Sequence, residues 1–311
     1  MNKASPPPLP KRPLRSRLRL PDQPTFRTFI RLCWIDILTQ LLCTGGAFLI
    51  YKFAPIFTPK HFPVFPGMET SVVGLRFGKP YLKEYVSTLV SAIVSFVGPL
   101  VVLLGVNLGL MRSFWDGNSA IMGLGYALST ATLFQAILKT FIGGLRPHFL
   151  AACQPIIIPP FPGSGYQSIW HTPDSVCNGD EKQIREAQMS FPSGHSSAAF
   201  AGFGFLALYL NAKFKILGNP NPHHAASNPD RTKEKTEEKS SSQASHWKLL
   251  LFVAPWLIAT TLAASKVMDY WHHPTDCIAG GLIGIVMAHL AYGMVYRGVY
   301  DARVNHVPRE Y

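Results

Sequence analysis

The chain has 311 residues, 48% of them hydrophobic and only 15% charged, with a formal net charge of +12. A charged fraction well under the roughly 25% of ordinary globular domains argues against a disordered chain and against a soluble basic one. The charges are also unevenly spread, so that long stretches hold no Asp, Glu, Lys or Arg at all.

In chain order, residues 1–29 include PPPLPKRPLRSRLRLPDQP, where Lys11, Arg12, Arg15, Arg17 and Arg19 lie close together. This composition predicts a disordered or polyproline-like tail. Its place just before a span suits either contact with anionic headgroups or a solvated tail that only sets topology. The first apolar run, Leu32 to Tyr51, carries one acid, Asp36, near its start. It begins late and is long enough to span, so a cleavable signal peptide is not expected. Tyr85 to Met111, Gly117 to Leu138, Ala187 to Ala212 and Cys277 to Tyr296 are charge-free stretches of 27, 22, 26 and 20 residues. Leu249 to Ser265 adds 17 more, extended at the interface by Trp247 and Lys248. Each is close in length to the ~20 residues that a helix needs to cross a hydrocarbon core. A soluble protein with six buried helices would leave most of them without a polar face. The expected fold is therefore all-α: a polytopic membrane protein with six transmembrane helices bundled over residues 30–297, followed by a tail at 298–311. Within it, 212–246 is expected to be a flexible loop, because His223 to His246 mixes charges and Ser at low hydrophobicity. Its paired His223 and His224 read as solvated residues rather than metal ligands.

An even number of spans puts both termini on one side. The segments on that side hold 8, 1, 7 and 3 Lys or Arg, which is 19 of the 29. By the positive-inside rule the termini face the cytoplasm. The basic balance then reports topology, and no nucleic-acid partner is expected. Cys33, Cys43 and Cys277 lie in or at the ends of spans and are expected to pack as small hydrophobes. Cys153 and Cys177 share the loop from Leu145 to Ser190 on the outer side, where an oxidising compartment would allow a disulfide worth about 3 kcal/mol.

Three polar clusters interrupt the apolar pattern, and the charge-derived topology puts all three at the outer face. The first is KTFIGGLRP, with Lys139, Gly143, Gly144, Arg146 and Pro147; the second is SFPSGHSS, with Ser193, Gly194 and His195; the third is SKVMDYWHHPTD, with Ser265, Lys266, His272 and Asp276. Together they suit a phosphoryl group. Lys139, Arg146 and Lys266 supply fixed positive charge for a phosphate and its transition state. Pro192 suits a first helical turn with Ser190 as N-cap, so that the amides of Ser193, Gly194 and His195 form an anion site. Asp276, four residues after His272, can orient that imidazole through one ring nitrogen and leave the other free to attack phosphorus. His195 can protonate the leaving oxygen and later activate water. Each residue also has a plainer reading: Lys139 or Lys266 can snorkel from a span end, and PSGH can simply start a helix. His273 stands second to His272 as nucleophile, and Asp269 is an alternative partner acid. His148 reads as a loop residue at the edge of the site, and His289 as a hydrogen-bonded packing residue inside a span.

These motifs resemble the type-2 phosphatidate phosphatases, or lipid phosphate phosphatases, whose pattern is Lys, six residues, Arg-Pro; Pro-Ser-Gly-His; and Ser-Arg, five residues, His, three residues, Asp. Lys139, Arg146 and Pro147 match the first, and Pro192, Ser193, Gly194 and His195 the second. Ser265, Lys266, His272 and Asp276 match the third, except that Lys266 stands where the family has Arg. An ammonium cannot grip two phosphate oxygens as a guanidinium does, so activity could be reduced or retuned there. The string RPHFLAACQP is similar to fungal and plant members that act on phosphatidate and diacylglycerol pyrophosphate. The resemblance implies that His272 forms a phosphohistidine with Asp276 as its partner and His195 as acid. It implies that Lys139, Arg146, Ser193, Gly194 and Lys266 hold the phosphate, with no metal or other cofactor. The implied activity is removal of a terminal phosphate from a lipid phosphate in the bilayer, at the luminal or extracellular face of an endomembrane (endoplasmic reticulum, Golgi or vacuole) or of the plasma membrane. Two other classes compete: a silent relative that binds lipid phosphate or a partner protein, and a transporter, for which more charge inside the spans would be expected.

Overall fold

The computed structural model describes residues 20, 22–55, 60–157, 169–217 and 245–310. The Lys11–Arg19 basic stretch and the loop carrying His223 and His224 lie outside the described residues.

Helix α1 spans Phe26–Phe53, capped by Thr25. A two-residue strand β1, Phe62–Pro63, and a short helix α2, Val72–Phe77, lead to α3, Thr88–Val106, which Ser87 caps and a π turn at Asn107–Met111 ends. Helix α4, Phe114–Phe141, begins where Asp22 accepts hydrogen bonds from the Ser113 hydroxyl and the Phe114 amide, both at 2.6 Å. Short elements follow: α5 Phe149–Cys153, β2 Trp170–His171, α6 Pro173–Val176 and α7 Glu181–Ala187. The bundle is completed by α8 Gly194–Phe214, α9 His246–Met268 and α10 Pro274–Val295.

Among the described residues, six long helices form where six spans are expected, but five of them are long and apolar enough to cross a membrane: α1, α3 with its π turn, α4, α9 and α10. This is the arrangement of a multi-pass membrane protein. The sixth, α8, falls short because it is the hub of the bundle, packed against α3, α4, α9 and α10. Fifteen of its 21 residues are buried. A helix sheathed by protein need not be apolar, so it accommodates Ser196, Ser197 and Asn211, all fully buried. Close approach to its neighbours depends on glycine: a Cβ on Gly280 or Gly284 of α10 would stand 2.3 or 2.5 Å from the carbonyl oxygens of Ser193 or Ser197. In contrast, α1 buries only Cys33 and Ala47.

A second, smaller core lies beside the bundle, at the end where α8 and α10 begin. Phe62, Val64, Met68, Phe149, Ala152 and Val176 pack there, with β1 and β2 paired antiparallel. A disulfide joins Cys153 to Cys177, with Cα atoms 4.6 Å apart. This cap fixes the loop that carries Arg146. Of the cysteines outside the disulfide, Cys33 and Cys277 are buried and Cys43 is half-buried.

Candidate active site

The three motifs converge at the cap end of the bundle. Lys139 lies in the last turn of α4, after which Gly143 and Gly144 take φ of +54° and +137° and reverse the chain. Only glycine adopts such angles without strain. Gly144 then runs beside Met189, with Gly144 N donating to Gln188 O at 2.8 Å and Ser190 N to Gly144 O at 3.0 Å. The first and second motifs are thus laced together through backbone. The Lys139 ammonium donates to Met189 O at 3.0 Å.

The second motif starts α8 later than the sequence suggests. Residues 187–190 run beside Gly144–Arg146, and the N-cap is Ser193, whose hydroxyl accepts from Ser196 N. Ser190, expected as the cap, instead donates its hydroxyl to Asp276 Oδ2 at 2.5 Å. Ser193 N is committed to Asp276 O at 3.0 Å. Of the three amides expected to face an anion, those of Gly194 and His195 therefore carry no hydrogen bond among the described residues. Gln135, one turn before Lys139, packs against this helix start: a Cβ on Gly194 would lie 3.2 Å from its Oε1, which is enclosed without a partner.

The third motif wraps the end of α9 and the start of α10. His272 is 2% exposed, with Nδ1 3.7 Å from Asp276 Oδ2, longer than a hydrogen bond but close enough to form one on small movement. That oxygen also accepts His273 N at 3.0 Å. The His272 and His195 rings have centroids 6.3 Å apart, near enough for one phosphoryl group to touch both. Burial holds the His272 imidazole down at about 3, the Lys139 and Arg146 charges acting the same way and Asp276 opposing. The ring is therefore neutral near pH 7, as a nitrogen nucleophile must be. His195 Nε2 is enclosed and unpartnered.

The alternatives separate by their contacts. His273 is occupied, with Nε2 on Leu145 O at 3.1 Å and its ring edge-on to Phe77. Asp269 is fully buried against Lys266, at 2.9 Å, and the amides of Tyr85 and Trp271. His148 lies in the turn before α5 and is buried there as a wall of the site: Nδ1 meets Tyr270 O at 2.9 Å and the ring packs against Tyr81 and Trp271. His289 packs as expected, bonded to Ile285 O and the Tyr300 hydroxyl.

Trp271 is a site residue that motif spacing missed. The Arg146 guanidinium lies over its ring, 4.7 Å from the centroid, with Glu186 at 3.8 Å on one side. Arg146 Nε and Nη1 are enclosed and unpartnered, two donors in the fork geometry that suits phosphate. The only sequence signal was the tryptophan beside the His pair. Lys266, by contrast, is fully buried against Val86 O at 2.7 Å, Asp269 Oδ2 at 2.9 Å and Glu84 Oε1 at 3.7 Å. The arrangement therefore offers a neutral, carboxylate-flanked imidazole, a second imidazole across from it, and cationic and amide donors around the gap. That set is suited to in-line attack on a phosphoryl group.

No solved structure matches the chain. Among curated proteins it is 34% identical over 212 residues to a PA-phosphatase related-family protein of Dictyostelium discoideum, covering 67% of this chain and 56% of that protein. It is 35% identical over 190 residues to the probable lipid phosphate phosphatase 4 of Arabidopsis thaliana, covering 61% and 52%. A third relative is the probable diacylglycerol pyrophosphate phosphatase 1 of Schizosaccharomyces pombe, 32% identical over 202 residues, covering 64% and 61%. The chain thus spans about half the length of the curated relatives it matches. The PAP2 superfamily matches residues 120–300, a stretch that begins in α4 and takes in all three motifs, and the chain belongs to that family.

Proposed function

We propose that this chain is an integral-membrane phosphohydrolase that removes a terminal phosphate from lipid phosphates, with phosphatidate and diacylglycerol pyrophosphate as the leading substrates. The observation that carries the reading is the buried His272 imidazole, flanked by Asp276, with its ring centroid 6.3 Å from that of His195. The names of the plant and fission-yeast relatives support the substrate class.

In this mechanism Arg146, Lys139 and the amides of Gly194 and His195 hold the phosphate oxygens, and Ser193 caps the helix that presents those amides. His272 Nε2 attacks phosphorus as Asp276 takes up the Nδ1 proton in a hydrogen bond. The bond from phosphorus to the leaving oxygen breaks, and His195, which takes up a proton as the anionic phosphate docks, donates it to release the dephosphorylated lipid. Water, deprotonated by His195, then cleaves the phosphohistidine, which frees phosphate and restores neutral His272. No metal is assigned a role, because Lys139 and Arg146 supply the charge that stabilises the transition state.

The 19 Lys and Arg on the side of the termini support a cytoplasmic placement of both ends. The site then faces the lumen of an endomembrane compartment or the exterior, the side on which a Cys153–Cys177 bridge persists. Residues 30–297 are the phosphatase domain; of the stretch 212–246 expected as a loop, Ala212–Phe214 complete α8 and His246 opens α9. The test is phosphate release from phosphatidate and diacylglycerol pyrophosphate by the detergent-purified chain in EDTA. Activity should persist in EDTA and vanish in His272→Ala. Loss with EDTA, or full activity in His272→Ala, overturns the mechanism.

A further inference from the structure

The segment from Lys79 to Val86, between α2 and α3, carries none of the three motifs, yet it is fastened to two of them. Lys79 N donates to Pro147 O at 2.9 Å, Trp271 Nε1 to Leu82 O at 2.9 Å, Tyr85 N to Asp269 Oδ2 at 3.3 Å, and Lys266 Nζ to Val86 O at 2.7 Å. Tyr81 packs against both His148 and Trp271. The segment is a strap across the site, and it supports the ring on which the Arg146 guanidinium rests.

Lys266 sits at its anchor. An ammonium has three N–H donors, and three protein acceptors surround this one: Val86 O, Asp269 and Glu84. Two acids beside one buried cation offset much of its pull on a third anion. Glu84 is fixed as well, since its Oε2 accepts Thr88 N at 3.0 Å. Arg146 is the opposite case, a buried cation with two donors left over.

We propose that Lys266 is a positioning residue rather than a phosphate ligand. With Glu84 and Asp269 it fastens the Lys79–Val86 strap, and through the strap and Trp271 it holds Arg146 in place for the phosphate. The assignment rests on the phosphatase reading for the nature of the anion, but its test needs no turnover.

The probe is orthovanadate, titrated calorimetrically into the full chain in detergent, with hydrogen exchange followed over residues 79–86. In Lys266→Met, strap exchange should speed up by about tenfold or more, and vanadate affinity should fall by about three- to tenfold as Arg146 loses its support. Arg146→Met should lose tenfold or more in vanadate affinity. Strap exchange that stays at the wild-type rate in Lys266→Met overturns the proposal. If exchange and affinity both change, Glu84→Gln decides. A matching loss of affinity there supports the strap, since removing an anion can weaken anion binding only through position. Tighter or unchanged binding in Glu84→Gln overturns it. Should Lys266→Met fail to fold, Lys266→Arg carries the test: a Kd within about threefold supports the proposal, and a tenfold gain overturns it. A wild-type chain that bound no vanadate would count against the phosphatase reading alone, and the exchange measurement would still decide the strap.

Discussion

Ser190 illustrates how far motif reading carries at the scale of single residues. Its place just before Pro-Ser-Gly-His suggests a helix cap, yet the cap is Ser193, and the Ser190 hydroxyl bonds the Asp276 carboxylate at 2.5 Å. A hydrogen bond to a charged group contributes about 1.5–3 kcal/mol. Ser190→Ala should therefore lower kcat by roughly ten- to a hundredfold with KM little changed, because the bond orients the acid that serves His272 and does not touch the substrate. Steady-state kinetics on a short-chain lipid phosphate checks this, and a rise in KM at constant kcat would assign Ser190 to substrate binding instead. His272, His195, Asp276, Lys139 and Arg146 were legible because their chemistry and spacing are written locally. Trp271, Gln135 and Glu84 were not, since aromatic, amide and carboxylate side chains acquire a role here only from what folds against them.

Between elements, the decisive contact is α10 on α8. Gly280 faces the Ser193 carbonyl, where a Cβ would stand 2.3 Å from the oxygen, and that oxygen belongs to backbone that cannot swing aside. Gly280→Ala should cost about 1–3 kcal/mol through overpacking and push the Ser193–His195 turn away from His272, reducing phosphate release as well as thermal stability. Gly45→Ala on α1, with nothing within 4 Å of the added carbon, is the control and should leave both unchanged. Helix existence was legible from the charge-free stretches, because a span must be long and apolar whatever it packs against. The starts of helices were less so. The fourth span was expected to open at Pro192 with Ser190 as its cap, but the backbone of 188–190 pairs with Gly144, and α8 begins only at Gly194. The lower hydropathy of α8 is likewise intelligible only once its neighbours enclose it.

Across the whole molecule, the end opposite the site is closed by a buried charge cluster. Asp116 at the start of α4 pairs with Lys213 at the end of α8, and the hydroxyls of Tyr209 and Tyr296 reach Asp116 at 3.3 Å. Lys213 also donates to His306 O at 3.0 Å, and Arg309 bonds back to Gly293 O and Tyr296 O, so residues 297–310 are tied to the bundle. Asp116→Leu or Lys213→Met alone should cost about 3–5 kcal/mol by leaving an unpaired buried charge, and the double variant should recover most of it. Thermal unfolding in detergent measures this. Additive losses would show that each residue acts independently of the other. The catalytic parameters of the folded double variant should match wild type, since α4 alone, at 28 residues, separates the two ends by about 40 Å.

The sequence by itself determined a mostly helical membrane chain, the number of its long helices and the three motif segments at one end. Hydrophobic length and the spacing of charged residues are one-dimensional properties, and the bilayer reads them directly. Tertiary structure alone decided which imidazole is free, what holds Asp276 and Arg146, that Lys266 is enclosed by acids, and that a segment without a motif spans the site. Those outcomes depend on distances between residues far apart in the chain, and such distances exist only once the glycine-lined helices have packed.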